Sequence, residues 1–323
     1  MAEFLMKPKI DFAFKEIMMD DRARTGFLAA VLKVRLQDIR ETVILNTGLR
    51  REHIDDKQGI LDVRLLLNND MEIDIEIQLS KMAVWADRSL FYLAKMFTGQ
   101  IKPGEPYHVF KKCVGIGILD FILFEDSGSQ QPLGSIQGTA ATQGLDSLQN
   151  GDTQEPDRDS LFYSRFHIRE DTRHFIYTDK MEFHLIELPK LPKELLENSS
   201  DIERWAKFIN AEQKEEFDML ANIDPNIASA YHTLQAISQD KAKRMEYEAR
   251  EKAIHDYNTG ILEAQERGIE IGTERGIERG IEIGTERINK LHAYLIHEKR
   301  FDDLERATQD KGFQQQLLSD YGI

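Results

Sequence analysis

The chain is short of cysteine, of positive charge and of long apolar runs, and each shortage excludes something. Its single cysteine, Cys113, rules out an internal disulfide and any cysteine-based zinc site, and in its apolar surroundings it reads as a small core residue. Among 323 residues, 42 Lys and Arg face 57 Asp and Glu, a formal net charge of −15. That balance by itself argues against a protein that gathers nucleic acid by bulk electrostatics. The deficit is uneven, however. Residues 1–125 hold 18 basic and 19 acidic side chains, a net of −1, so the remaining −14 lies beyond them. The N-terminal part is near neutral and can own a local basic patch. The longest apolar stretch, 113–124, is too short to span a bilayer and contains Asp120. No charged-then-apolar leader opens the chain, so the expectation is a soluble, cytoplasmic protein with no membrane role.

What the chain does have is concentrated at residues 59–80, GILDVRLLLNNDMEIDIEIQLS. Two runs alternate apolar and polar residues around Asn68, Asn69 and Asp70, the pattern of a β-hairpin. Ile73, Ile75, Ile77 and Leu79 line one face of the second strand, and Glu72, Asp74, Glu76 and Gln78 line the other. Folding about Asn69 sets Asp62 opposite Glu76, with Cβ atoms about 5 Å apart. Two carboxylates that close repel unless a cation or a shared proton lies between them. Oxygen ligands on a rigid strand pair, with positions open to water and phosphate, suit Mg²⁺ or Mn²⁺. The alternative is a half-exposed hairpin with a wet polar face. Against it stands the ladder itself, four polar residues of which three are acidic.

Around the hairpin the pattern predicts helix over 8–36 with a break at Asp20-Asp21, then a strand at 41–47. A helix over 82–100 packs through Trp85, Leu90, Leu93, Met96 and Phe97, and its Arg88 and Tyr92, four apart, share a face. Residues 112–124 read as a buried central strand. Residues 127–158, rich in Gly, Ser, Gln, Thr and Asp, read as a flexible insertion. Alternation resumes over 161–188 across a turn at Thr178-Asp179-Lys180; His167, His174 and His184 there lack metal spacing and are assigned no chemistry. Pro189 to Pro192 ends the strand, and a helix follows over 202–209.

From about residue 227 the chain reads as some sixty residues of helix ending in a tandem repeat, ERGIEIGTER at 266–275 and again at 278–287. Small residues recur every fourth position from Gly260 to Gly284, with Ile261, Ile269, Ile277 and Ile281 in the next column. Each exposed glycine costs a helix about 1 kcal/mol relative to alanine, so six sum to roughly 6 kcal/mol. The glycine column would let a second helix approach along a right-handed stripe. Self-association, giving a homo-oligomer such as a dimer, is the expectation, with a solvated tail as the alternative. Residues 291–323 read as a small amphipathic helical cap.

Asp62 followed by Glu76-Ile77-Gln78 resembles the PD-(D/E)XK nuclease motif. The pattern is similar to its Rpn branch, the recombination-promoting nucleases or PD-(D/E)XK family transposases, where ExQ commonly stands for ExK. Asp11-Phe-Ala-Phe-Lys15, Arg88-Ser-Leu-Phe-Tyr92 and Ile186-Glu-Leu-Pro-Lys190 resemble further family signatures in the same order, over about residues 7–210. The resemblance implies an α/β, restriction-endonuclease-like core, a mixed central sheet flanked by helices, with a helical C-terminal extension. It divides the chain into a nuclease core at 1–126, the insertion at 127–158, the rest of the nuclease domain at 159–226 and the helical region at 227–323.

It further implies a metal-dependent DNA endonuclease tied to recombination or mobile elements. Asp62 and Glu76, with the Ile77 carbonyl, would hold Mg²⁺ (or Mn²⁺ or Ca²⁺), and Gln78 would orient the attacking water. Glutamine brings no positive charge, so a cation must come from Arg88, Lys81 or a second metal. Arg88 is a candidate to hold a phosphate and Tyr92 to stack or hydrogen-bond. In the first helix, Asp11 and Lys15 are either an added acid of the site with its neighbour or a capping aspartate and a solvated lysine. The competing reading is a catalytically inactive nuclease-fold scaffold, or a regulatory or defence protein assembling through its C-terminal helices. The intact Asp62, Glu76 and Gln78 set argues against it.

Overall fold

A short strand, alternation in the hairpin that follows it, a fully apolar run and two further alternating runs build one six-stranded mixed sheet. In a computed structural model that describes residues 4–48, 62–82, 84–124 and 158–323, these are β1 (Thr42–Ile44), β2 (Val63–Leu67), β3 (Met71–Gln78), β4 (Lys112–Leu119), β5 (Tyr163–Arg169) and β6 (Ile176–Glu187). The spatial order is β1-β2-β3-β4-β6-β5. β3, β4 and β6 run parallel, while β1–β2, β2–β3 and β5–β6 are antiparallel. β4 lies at the centre and is buried on both faces from Cys113 to Leu119, as a continuous apolar run predicts. The start of the expected hairpin at 59–61 and nearly all of the expected insertion at 127–158 lie outside the described residues.

The helices α1 (Asp11–Met19) and α2 (Asp21–Leu32) meet at Asp20, whose extended backbone ends the first and caps the second: its carboxylate accepts from the Ala23 N–H at 2.7 Å. Edge-to-face aromatic pairs run from Phe14 through Phe27, Trp205 and Phe208 to Phe217, which stacks on Tyr231. They join α1 and α2 to α4 (Asp201–Asn210), α5 (Lys214–Ile223) and α6 (Pro225–Gln239). On the other side α3 (Trp85–Thr98) packs on β4 and β6 through Trp85, Leu93 and Met96. Leu90, expected on the packing face of this helix, is instead 62% exposed, because the packing stripe runs through Trp85, Leu93 and Met96.

Two further expectations are corrected. The turn between β5 and β6 is at 170–175, not at Thr178-Asp179-Lys180. The Glu170 carboxylate accepts from the Thr172 and Arg173 N–H groups, and His174 takes a left-handed φ of 60°. Thr178 to Lys180 lie inside β6, where the register against β5 shifts at a bulge. The C-terminal helix does not run unbroken from 227 either. Asp240 ends α6 and accepts from the Ala242 and Lys243 N–H groups, and α7 (Lys241–His297) then starts anew.

The structure divides into two compact units, Met1–Lys252 and Ala253–Ile323. α6 belongs to the first unit through Ile227, Ala230, Leu234 and Ile237, all buried. In the second, the end of α7 packs with α8 (Phe301–Gln309) and α9 (Lys311–Asp320) around Leu291, Leu295, Ala307 and Leu317. Among the described residues no helix is long and apolar enough to cross a membrane.

Candidate active site

The hairpin turn fixes the site. Asn68 and Asn69 both take positive φ, 49° and 60°, in a three-residue loop in which the Asp70 N–H donates to the Leu67 C=O at 3.1 Å. Asparagine tolerates this left-handed conformation better than most residues, and Asn68 also accepts from the Arg40 and Glu41 N–H groups. The resulting ladder pairs Val63 with Ile75 and Leu67 with Met71, a hairpin centred on Asn69. Extending that register sets Asp62 across from Glu76. The Asp62 N–H donates to Glu76 Oε1 at 3.2 Å, and Asp62 Oδ2 accepts from the Ile77 N–H at 3.1 Å.

The polar face of β3 is not wet. Glu72 and Asp74 are buried, and Glu76 and Gln78 are half-buried. Glu72 is neutralised by Arg64, whose Nε donates to it at 2.6 Å. Asp74, directly opposite Arg64 in the ladder, has no hydrogen-bond partner at Oδ1. Its neighbours on β4 are glycines, Gly115 and Gly117, paired with Asp74 and Glu76, and the rings of Phe183 and Trp85 fill the room they leave. A Cβ at either would meet Phe183 at 2.5 Å or Trp85 at 2.7 Å.

Two helices bring cations to this face. Lys15 of α1 reaches Asp62 Oδ1 at 3.0 Å and lies 3.7 Å from Asp11. Asp11 does not cap α1, whose N-cap is Ile10, so of the two alternatives the structure shows the lysine paired rather than solvated. Arg88 of α3 reaches Glu76 Oε2 at 3.1 Å and Gln78 Oε1 at 3.5 Å, while its Nε donates to the Tyr92 hydroxyl at 3.1 Å. Its guanidinium also sits 5.2 Å from the Tyr92 ring centre, a cation–π contact. Arg88 and Tyr92 therefore do share a face, and it looks at the carboxylates. Lys81 is exposed and makes no ion pair among the described residues.

Burial and then the charge of Asp62 push the Glu76 carboxyl up to about 7, against the pull of Arg88. Burial, followed by Glu76 and Asp62, holds Asp74 well above the usual carboxylate range. Burial works against the charge of Arg88, but Glu76 and Tyr92 outweigh it and raise its pKa. Asp74 was legible in the sequence only as one rung of the acidic ladder; nothing there set its Oδ1 apart as buried without a hydrogen bond.

The donor set suits a hard divalent cation. Asp62 and Glu76 offer two opposed carboxylates, the number with which Mg²⁺ is content while keeping waters and substrate oxygens. Among the described residues no group of three His, Cys, Asp or Glu is placed to hold a metal ion, so the fit rests on these two carboxylates. The buried, unpaired oxygen of Asp74 and the raised Glu76 mark carboxyl groups whose charged form burial and mutual repulsion disfavour.

A family model described as PD-(D/E)XK nuclease family transposase matches residues 8–135 and 149–264. The chain belongs to this family. No curated protein and no solved structure matches it. The mixed sheet with its flanking helices is the PD-(D/E)XK α/β fold. Nucleases of this class act on DNA and generally use divalent metals. Against the family's own name, Glu76-Ile77-Gln78 carries glutamine where the lysine is spelled.

Cys113 is buried, its thiol pushed up to about 12 by burial and then by Glu72. On the opposite sheet face Glu182 pairs with Arg165 and Lys112, and buried His184 hydrogen-bonds the Tyr163 hydroxyl at 2.6 Å. Burial opposes the Glu182 carboxylate, but hydrogen bonds from His184, Arg165 and Lys112 outweigh it and pull Glu182 below the carboxylate range. This is a neutralised network with a structural explanation.

Proposed function

We propose that the protein is a metal-dependent DNA endonuclease of the Rpn type, hydrolysing phosphodiester bonds in recombination or in the movement of mobile elements. Asp62 and Glu76, with the Ile77 carbonyl, would hold Mg²⁺ or Mn²⁺. A divalent ion so held lowers the pKa of bound water and neutralises charge growing on the phosphate. The chain's own residues do the rest. Gln78, its amide nitrogen tied to the Ser80 carbonyl at 3.1 Å, presents its oxygen to orient a water. Lys15 and Arg88 hold the two carboxylates apart and aligned before substrate arrives.

The observation that carries the reading is the facing of Asp62 and Glu76 across the strand pair, with Glu76 raised to about 7 by burial and its neighbour. The test is nicking of supercoiled plasmid in Mg²⁺, Mn²⁺ or EDTA. Metal-dependent nicking by the wild type, lost in both Asp62→Ala and Glu76→Ala, is the expected result. Wild type and variants equally inert in every metal would favour the scaffold reading.

A second proposal concerns assembly. The helix around the repeat leaves Ile269, Ile277 and Ile281 about 60% exposed, and no atom lies within 4 Å of a Cβ built at Gly268, Gly272, Gly276 or Gly280. This stripe supports pairing with a second copy of the chain. Ile269→Lys with Ile277→Lys would lower the mass seen in sedimentation; an unchanged mass would sink the idea.

A further inference from the structure

Hydrolysis joins a water oxygen to phosphorus, breaks the bond to one ester oxygen and passes a proton to that leaving oxygen. Negative charge grows on the phosphate between those events, and a cation fixed beside it stabilises that charge most when little rearrangement is needed. Gln78 is neutral and cannot serve. Among the described residues four cationic side chains lie near enough in the sequence or the fold to be considered, Lys15, Arg64, Lys81 and Arg88, and their surroundings separate them. Arg64 is committed to Glu72. Lys81 is exposed at the end of the hairpin. Lys15 is committed to Asp62 at 3.0 Å, with Asp11 one turn behind it. Arg88 alone touches both Glu76 and Gln78.

We propose that Arg88 is a catalytic residue of this nuclease, supplying from α3 the positive charge at the reacting phosphate that Gln78 cannot supply from β3. The guanidinium is anchored on one side by Nε to the Tyr92 hydroxyl and by its seat against the Tyr92 ring. Nη2 is held by Glu76. Among the described residues Nη1 makes only long contacts, 3.5 Å to Gln78 Oε1 and 3.8 Å to Met82 Sδ, so its N–H groups are the ones left to grip a phosphate oxygen. Arginine suits the task because it stays protonated and its planar fork loses little freedom when it binds. It exchanges no proton in the reaction. The assignment rests on the nuclease reading of the same site.

The test is a charge relocation in the full-length protein. Single-turnover cleavage is measured for wild type, Arg88→Ala, Arg88→Lys and the double variant Arg88→Ala/Gln78→Lys. Affinity for a labelled duplex is measured separately with Ca²⁺ in place of Mg²⁺. Arg88→Ala should lose about 100-fold in rate, the scale of one removed charge-stabilising donor, with affinity changed only a few-fold. Gln78→Lys, placed on that background, should restore most of the rate, and Arg88→Lys should retain part of it. Should Arg88→Ala melt, Arg88→Gln, which keeps a donor toward Glu76, takes its place. An active wild type with Arg88→Ala equally active would overturn the assignment alone. So would a dead Arg88→Ala that neither lysine rescues, since that marks a packing role. A wild type that cleaves nothing overturns the nuclease reading and this assignment with it.

Discussion

Glu76 at neutral pH shares its carboxyl between two protonation states, and the cause is local: burial, and Asp62 across the strand. A carboxyl whose folded pKa lies above its unfolded value binds protons more tightly when folded. Its contribution to stability is therefore complete below about pH 4.5 and is lost as pH rises through about 7. The shift corresponds to something on the order of 3 kcal/mol. In EDTA, the urea midpoint of the wild type should fall between pH 5 and pH 8, and Glu76→Gln should flatten that fall. An equal slope in both proteins would mean that Glu76 titrates normally. Asp62, Glu76 and Gln78 could all be picked from sequence because strand alternation is strict and the turn residues name the register. The pairing of Lys15 with Asp62 could not, because 47 positions separate them and only the seat of α1 brings them together.

At the scale of elements, β4 shows how an apolar run acquires a shape. Gly115 and Gly117 leave room on one face for Phe183 and Trp85, and thereby let α3 sit close enough for Arg88 to reach β3. Gly117→Ala would drive a methyl group to 2.7 Å from the Trp85 ring, and overpacking of this kind costs about 1–3 kcal/mol. The urea midpoint should fall by a corresponding amount, and cleavage should weaken through displacement of Arg88. The break at Asp20 was readable because two aspartates interrupt an apolar helix. The β5–β6 turn was misplaced because Thr178-Asp179-Lys180 has turn composition too, and only the pairing of β5 with β6 shows those residues accommodated as a bulge.

Across the whole molecule, the repeat helix and the nuclease unit obey different rules. Within the nuclease unit each helix is held by a buried face. Along the repeat every residue from 258 to 283 is exposed, so intrinsic propensity has no packing to override it. Gly272→Ala and Gly276→Ala, with nothing within 4 Å of the added methyl, should each stabilise the helix by about 1 kcal/mol and slow amide exchange around them. If exchange slows in the single variants but assembly weakens, the glycine column is a seam between copies.

The sequence by itself determined the hairpin, its centre at Asn69, the facing of Asp62 and Glu76, and the buried central strand. These are consequences of period-two alternation and of turn residues that accept positive φ, both local properties of the chain. Only the tertiary structure decided which cation meets which carboxylate, that Asp74 Oδ1 is buried without a hydrogen bond, and that α6 belongs with the first unit. Each of those depends on where a distant helix docks, and docking is set by the summed packing of many residues rather than by any motif.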